Sequence, residues 1–218
     1  CTLYQDTDFG KEILEGVQDQ TKAMNLPLVE ATTNKPADTD FTAQITKLRN
    51  AGCDLVALGA IVRDAILAYG TARKMGWTDV DFVSQSASFD QIVASAPGGA
   101  TEGLYVGAGT VMPYRDTANA TVAAWWDAYK AKYGSDPNIG AVYGHNIADL
   151  IVTALQRVGK DVTTEKFVKA LEGIQGYRDI FGGPVINFGP QKHQGTTEVL
   201  FYQIQKGRFV QIAGPLKY

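Results

Sequence analysis

The sequence predicts an α/β fold, a doubly wound parallel-sheet lobe followed by helices that have no sheet of their own. Three observations carry this expectation. Short apolar runs alternate with amphipathic stretches through the first half of the chain. Glycine or proline punctuates most of the boundaries between them. After Gly109 the alternation stops, and three helical patterns follow with little strand between them.

Taken in order, Leu3-Tyr4-Gln5 reads as a strand, an acidic turn follows, and Ile13, Leu14 and Val17 line one helical face. Leu28–Thr32 is the second strand, entered through Pro27. Asp40 is placed to cap a helix carrying Phe41, Ile45 and Leu48, with Gly52 at its C-terminal end. Leu55–Leu58 is an apolar run of the kind buried on both faces of a parallel sheet. A helix from about Asp64 to Gly76, a strand at Phe82-Val83, a short helix at Phe89–Ala94 and a strand at Leu104–Val106 complete five βα alternations. The later helices span about 118–133, 141–158 and 164–172, followed by Gly134, Gly159 and Gly173, and Thr163 is an N-cap for the last. A strand at Pro184–Phe188 and a hairpin of Glu198–Gln205 with Arg208–Ala213, turning at Lys206-Gly207, end the chain.

Composition removes several function classes. The chain has 218 residues, and its net charge of −3 lacks the basic face a nucleic-acid binder needs. No apolar run approaches the roughly 20 residues of a membrane-spanning helix. Cys1 and Cys53 lack metal-ligand spacing and are too few for a disulfide scaffold, so the plainer reading is two small residues near strand starts. The chain opens directly on a strand, which suggests entry into the middle of a longer protein, and a leader would not be visible in that case.

Ligands of doubly wound sheets bind beyond the carboxyl ends of the strands. That rule selects the loops Asp6–Phe9, Thr33–Asp38, Gly59–Arg63, Gln85–Phe89 and Gly107–Met112, a mixture of aromatic, hydroxyl and amide groups with one arginine. The first turn, Asp6-Thr7-Asp8-Phe9-Gly10, holds two carboxylates that would repel a dinucleotide phosphate. GxxxxGK[ST] and GxSxG motifs are absent, and Gly59-Ala60 stands where a receiver domain needs a phospho-accepting aspartate. His145 and His193 lie far apart in sequence and read as solvated surface residues rather than a metal or general-base pair. Asp6 and Asp8 read as turn acids capping the next helix. Trp125 and Trp126 cannot share one helix face, so at least one marks an interface or packing site. The expectation is a binding protein with no catalytic residues, cofactor or metal.

Four segments, in order along the whole chain, resemble type I periplasmic solute-binding proteins of ABC transporters, in the branched-chain amino acid receptor class. Leu3–Gly10 is similar to that family's Y-x-D-x-x-[YF]-G turn. Ala57–Ala60 and Ala72–Gly76 resemble its third strand and the A-R-x-x-G helix end. Phe188–Gly195 resembles its late F-D-x-x-G-H-x-G turn. The resemblance implies two α/β lobes that close on a small-molecule ligand, a periplasmic location, and delivery to a membrane permease. Residues 1–110 and 185–218 would form the second lobe, and 111–184 the helical part of a first lobe whose sheet lies upstream of residue 1, making the missing N-terminal lobe a partner.

Carried over by position, Phe9 is the aromatic residue that stacks on the ligand. Ile61 falls near a family tyrosine, and Ser86 falls where amino-acid binders place the acid that pairs with an ammonium group. Asp8 is a further candidate contact, and Asp6 and Asp8 are the available substitutes for that acid. Arg63, opening its helix, would pair with a carboxylate. Because a buried ammonium without a partner costs several kcal/mol, Ser86 points to a carboxylated, partly apolar or aromatic ligand without one. Branched-chain amino acid binding and a ligand-sensing regulator on the same fold are the alternatives. The implied 2-1-3 strand order would bring the strand starts that carry Cys1 and Cys53 side by side, which leaves free thiols and a bridge both open.

Overall fold

The computed structural model describes residues 1–217. Five strands of the first half, β1 (Thr2–Gln5), β2 (Ala31–Asn34), β3 (Leu55–Gly59), β4 (Asp81–Ser84) and β5 (Tyr105–Ala108), pair in parallel in the order β2-β1-β3-β4-β5. A hairpin of β6 (Glu198–Gln205) and β7 (Arg208–Lys217) extends the sheet beyond β5 to seven strands. Lys206 and Gly207 both have positive φ, as a two-residue hairpin turn of this hand requires.

Helices α1 (Asp8–Ala23), α2 (Thr42–Asn50) and α3 (Val62–Lys74) connect the first four strands, and the short α4 (Gln91–Ala94) precedes β5. Leu3, Phe41, Ile45, Leu48, Val56, Leu58, Phe82 and Val106 are buried and form the core between sheet and helices. Two glycines allow close approaches around β1. A Cβ on Gly10 would lie 1.8 Å from the Gln5 carbonyl oxygen, and one on Gly59 would lie 2.9 Å from Tyr4 Cβ. Arg73, from the A-R-x-x-G segment, is a packing clamp. It donates to the carbonyls of Trp77 (2.6 Å) and Val80 (3.1 Å), while its guanidinium sits 4.4 Å from the centre of the Tyr69 ring.

Several expectations need correction. The second strand begins at Ala31, because pairing runs from Thr2–Ala31 to Gln5–Asn34 and Val29 lies exposed before it. Leu55 is exposed, so β3 is buried only from Val56 onward. Pro184–Phe188 forms no strand; Tyr177 and Ile186 exchange backbone hydrogen bonds of 3.1 and 2.9 Å as an isolated bridge. Cys1 and Cys53 are joined in a disulfide, so they are not separate small residues. The register explains it: Thr2 faces Ala57, which sets the two strand starts side by side with Cα atoms 5.8 Å apart.

The chain divides into two compact units, Cys1–Ala108 with Phe201–Ile212, and Gly109–Leu200 with the segment from Ala213. Residues 185–200 thus fall with the second unit, where Phe188 N–H donates to the Ile174 carbonyl (3.0 Å) and Gly176 N–H to Asn187 Oδ1 (2.8 Å). That unit holds α5 (Ala120–Tyr133), α6 (Ile139–Val158) and α7 (Thr164–Glu172), capped by Asn119, Asn138 and Thr163. Trp126 is buried and donates to Asp136 Oδ1 (3.2 Å). Trp125 packs on Phe181 and His145, so His145 lies half-buried inside α6 rather than solvated at its start.

Two stability outcomes follow. Cys53→Ser should destabilise the chain by about 4 kcal/mol, the closure entropy of a loop of 52 residues, and chemical denaturation of reduced wild type should show the same loss. Gly10→Ala should cost about 1–3 kcal/mol or more through overpacking against Gln5, read as a lowered denaturation midpoint.

Candidate functional site

The carboxyl ends of β1 to β4 lie level, because Gln5 pairs with Asn34, Tyr4 with Gly59, and Leu58 with Ser84. The residues just beyond those ends therefore share one edge of the sheet. Asp8 and Phe9 begin α1, with Asp8 exposed and Phe9 half-buried. Thr7, rather than either acid, is the N-cap, its Oγ1 accepting from Gly10 N–H at 3.4 Å. Thr7 caps because it is the residue that precedes the first helical turn, three before Gly10; Asp6 and Asp8 make no ion pair among the described residues.

Ile61 precedes α3 and is 40% exposed, a large apolar side chain at the same edge. Ser86 begins a 3₁₀ turn of Ser86–Ser88 and is also exposed. That turn is held by Gln85, whose Oε1 accepts from Ala87 N–H (2.6 Å) and whose Nε2 donates to the Ala60 carbonyl (2.7 Å). Gln85 thus ties the end of β4 to the end of β3, and carries Ser86 and Ile61 on one tethered piece of backbone.

Arg63 lies at this edge with its side chain about half exposed, but its guanidinium is already engaged. Nε and Nη2 donate to Asp64 Oδ1 at 2.9 and 2.7 Å, and Nη2 also donates to the Pro36 carbonyl. Asp64 itself is fully buried. Its other oxygen, Oδ2, accepts from Gln5 Nε2 (3.1 Å) and Asn34 Nδ2 (3.0 Å). Gln5, Asn34 and Asp64 were not singled out from the sequence. The available signal was that Gln5 and Asn34 are terminal polar residues of adjacent strands and Asp64 sits in a helix first turn beside them. Residues one apart on a helix do not ordinarily face each other, which hides the Arg63–Asp64 pair from a reading by spacing.

Several concavities lie elsewhere, among them one of about 490 Å³ by Ile151, Leu155 and Phe167. One of about 620 Å³ runs along α7 and includes Glu165, Lys169 and Pro190. Another of about 400 Å³ lies between α5 and α6 against Trp125, Tyr129 and His145. A further one, of about 600 Å³, sits at the amino ends of β1 and β3 by the disulfide. None of these is lined by Asp8, Phe9, Ile61, Arg63 or Ser86. Among the described residues no cluster of three or more acidic, histidine or cysteine side chains is arranged to hold a metal ion. No helix among them is long and apolar enough to cross a membrane.

Comparison with known proteins gives one consistent relationship. A model of the periplasmic binding protein family matches residues 1–208. The Leu/Ile/Val-binding protein homolog 8 of Brucella abortus is 22% identical over 217 residues, covering 96% of this chain and 53% of the relative. The chain therefore spans about half the length of the curated relatives it matches.

Among solved structures, a branched chain amino acid ABC transporter protein from Thermus thermophilus with bound valine superimposes with TM-score 0.86 at 18% identity. It covers all of this chain and 60% of that one. A fatty acid ABC transporter substrate-binding protein from Thermomonospora curvata gives 0.83 at 22%, with coverages of 100% and 57%. An ABC transporter solute binding protein from Rhodopseudomonas palustris in complex with benzoate gives 0.78 at 18%, with coverages of 97% and 56%. At these identities the structures establish the fold, α/β of the type I kind, over part of each neighbour. With nearly its whole length matched by the family model, the chain belongs to the periplasmic binding protein family.

Proposed function

We propose that this chain forms one lobe, and the helical part of another, of a receptor that captures a small carboxylated, partly apolar or aromatic solute and delivers it to an ABC transporter permease. The observation that carries the reading is the level edge at the carboxyl ends of β1 to β4. It offers Phe9 and Ile61 as apolar surface, Ser86 as a hydroxyl and Arg63 as an N–H donor, the few placed polar groups on an apolar lining that such ligands need. A periplasmic location is supported by the family and by the Cys1–Cys53 disulfide, a bond that persists in oxidising compartments.

An upstream lobe completes the proposal. Tyr143, Ile147, Ile151 and Leu155 recur every four residues along α6 and are all exposed, a continuous apolar stripe suited to packing on a sheet. The relatives are about twice as long as the matched region, so their additional sequence is the natural source of that sheet.

A second reading, branched-chain amino acid binding, is favoured by a specific observation. The charge of Arg63 is matched by Asp64, while Asp8 stands exposed without an ion pair among the described residues and is available to an ammonium group.

Thermal-shift titration with benzoate, fatty acids, dicarboxylates, leucine and valine separates the two. A ligand at 100 times its Kd stabilises by about 2.7 kcal/mol, and acids without an ammonium group should produce that shift. Stabilisation by leucine or valine alone would overturn the first reading in favour of the second. Arg63→Ala should weaken a bound carboxylate by about 1 kcal/mol, the net worth of one hydrogen bond; an unchanged Kd would remove Arg63 from the site.

A further inference from the structure

We infer that Asp64 is a positioning residue that sets both the charge and the reach of Arg63 at the ligand face; this rests on the proposed solute-binding reading. Four N–H donors converge on its buried carboxylate from three different segments, the end of β1, the end of β2 and the first turn of α3. So complete a set of partners is what a buried carboxylate requires, and none of those partners reaches solvent through it.

The consequence for Arg63 is geometric. Two of its three guanidinium nitrogens are taken by Asp64 and the Pro36 carbonyl, while Nη1 has no partner among the described residues. The side chain is therefore held at one edge and offers a single N–H corner outward. Its positive charge is cancelled by a carboxylate 2.7 Å away. Arg63 is thus kept from using its Nε–Nη2 edge as a bidentate anion clamp and is left with the two N–H bonds of Nη1. Specificity then comes to rest on shape and apolar contact at Phe9 and Ile61 more than on charge. The same network fixes the β2–α2 loop, because Nη2 holds Pro36 and Asn34 Nδ2 also donates to the Lys35 carbonyl (3.2 Å).

Asp64→Asn tests this at the cost of part of the network. The amide oxygen keeps the bonds from Arg63, and the new N–H group can be met by Asn34 Oδ1, buried and without a hydrogen-bond partner, once the Asn34 amide turns over, while Gln5 Nε2 loses its acceptor. The variant should release the charge of Arg63 and tighten the binding of benzoate to the full chain by about tenfold, the scale of a charge-assisted hydrogen bond over a neutral one. It should also add a dependence on salt that wild type lacks. Asp64→Asn with Arg63→Gln should abolish the gain. A purely structural Asp64 would lower the melting temperature and leave benzoate affinity equal or weaker, and that result would overturn the inference.

If no carboxylate titrates into either protein, the solute reading fails while the positioning role is still decided by NMR. An Arg63 Nε–H protected from exchange in wild type and released in folded Asp64→Ala, which removes the acceptor altogether, supports it. Equal exchange in the two proteins overturns it.

Discussion

The first unit depends on β1 lying between β2 and β3 in parallel register. Thr2 pairs with Ala31 on one side and Ala57 on the other, so a four-residue strand organises both neighbours. A strand that short cannot hold its register by backbone pairing alone, and both of its ends are tied. At the amino end the disulfide joins Cys1 to Cys53 at the start of β3. At the carboxyl end Gln5 donates into Asp64, the same carboxylate that holds Asn34 at the end of β2. A one-residue slip would turn Leu3 out of the core and carry Gln5 away from Asp64, so register, core and the polar network at the carboxyl edge stand together.

The two ends of the sheet are consequently specialised. The amino end carries the covalent link. The carboxyl end carries polar groups that are mostly tethered to one another: Gln85 to Ala60, Arg63 to Pro36 and Asp64, Thr7 to the first turn of α1. Such tethering holds the exposed residues of this edge, Ser86 and Ile61 among them, on pre-organised backbone.

Much of this was legible from residue order. Alternating apolar and amphipathic segments identified the parallel sheet, and the end of that alternation after Gly109 marked the passage to the helices α5, α6 and α7. The Lys206-Gly207 turn and the Thr163 cap could be read because their causes are local: a positive φ that few residues adopt readily, and a hydroxyl three residues from an unpaired N–H. The Pro184–Phe188 strand was misjudged because strand formation needs a partner of matching length, and only Tyr177 bridges to it.

By itself, then, the sequence determined the class of fold, the order of its elements and the loops that follow the carboxyl ends of the strands, since these follow from periodicity, capping and the direction of parallel strands. The tertiary structure alone decided that Cys1 meets Cys53 and that Arg63 belongs first to Asp64. It also decided that Gln5 and Asn34 converge on one carboxylate. Those pairings depend on register across neighbouring strands and on burial. A carboxylate in water needs no particular partners, whereas Asp64, removed from water, must gather every donor within reach.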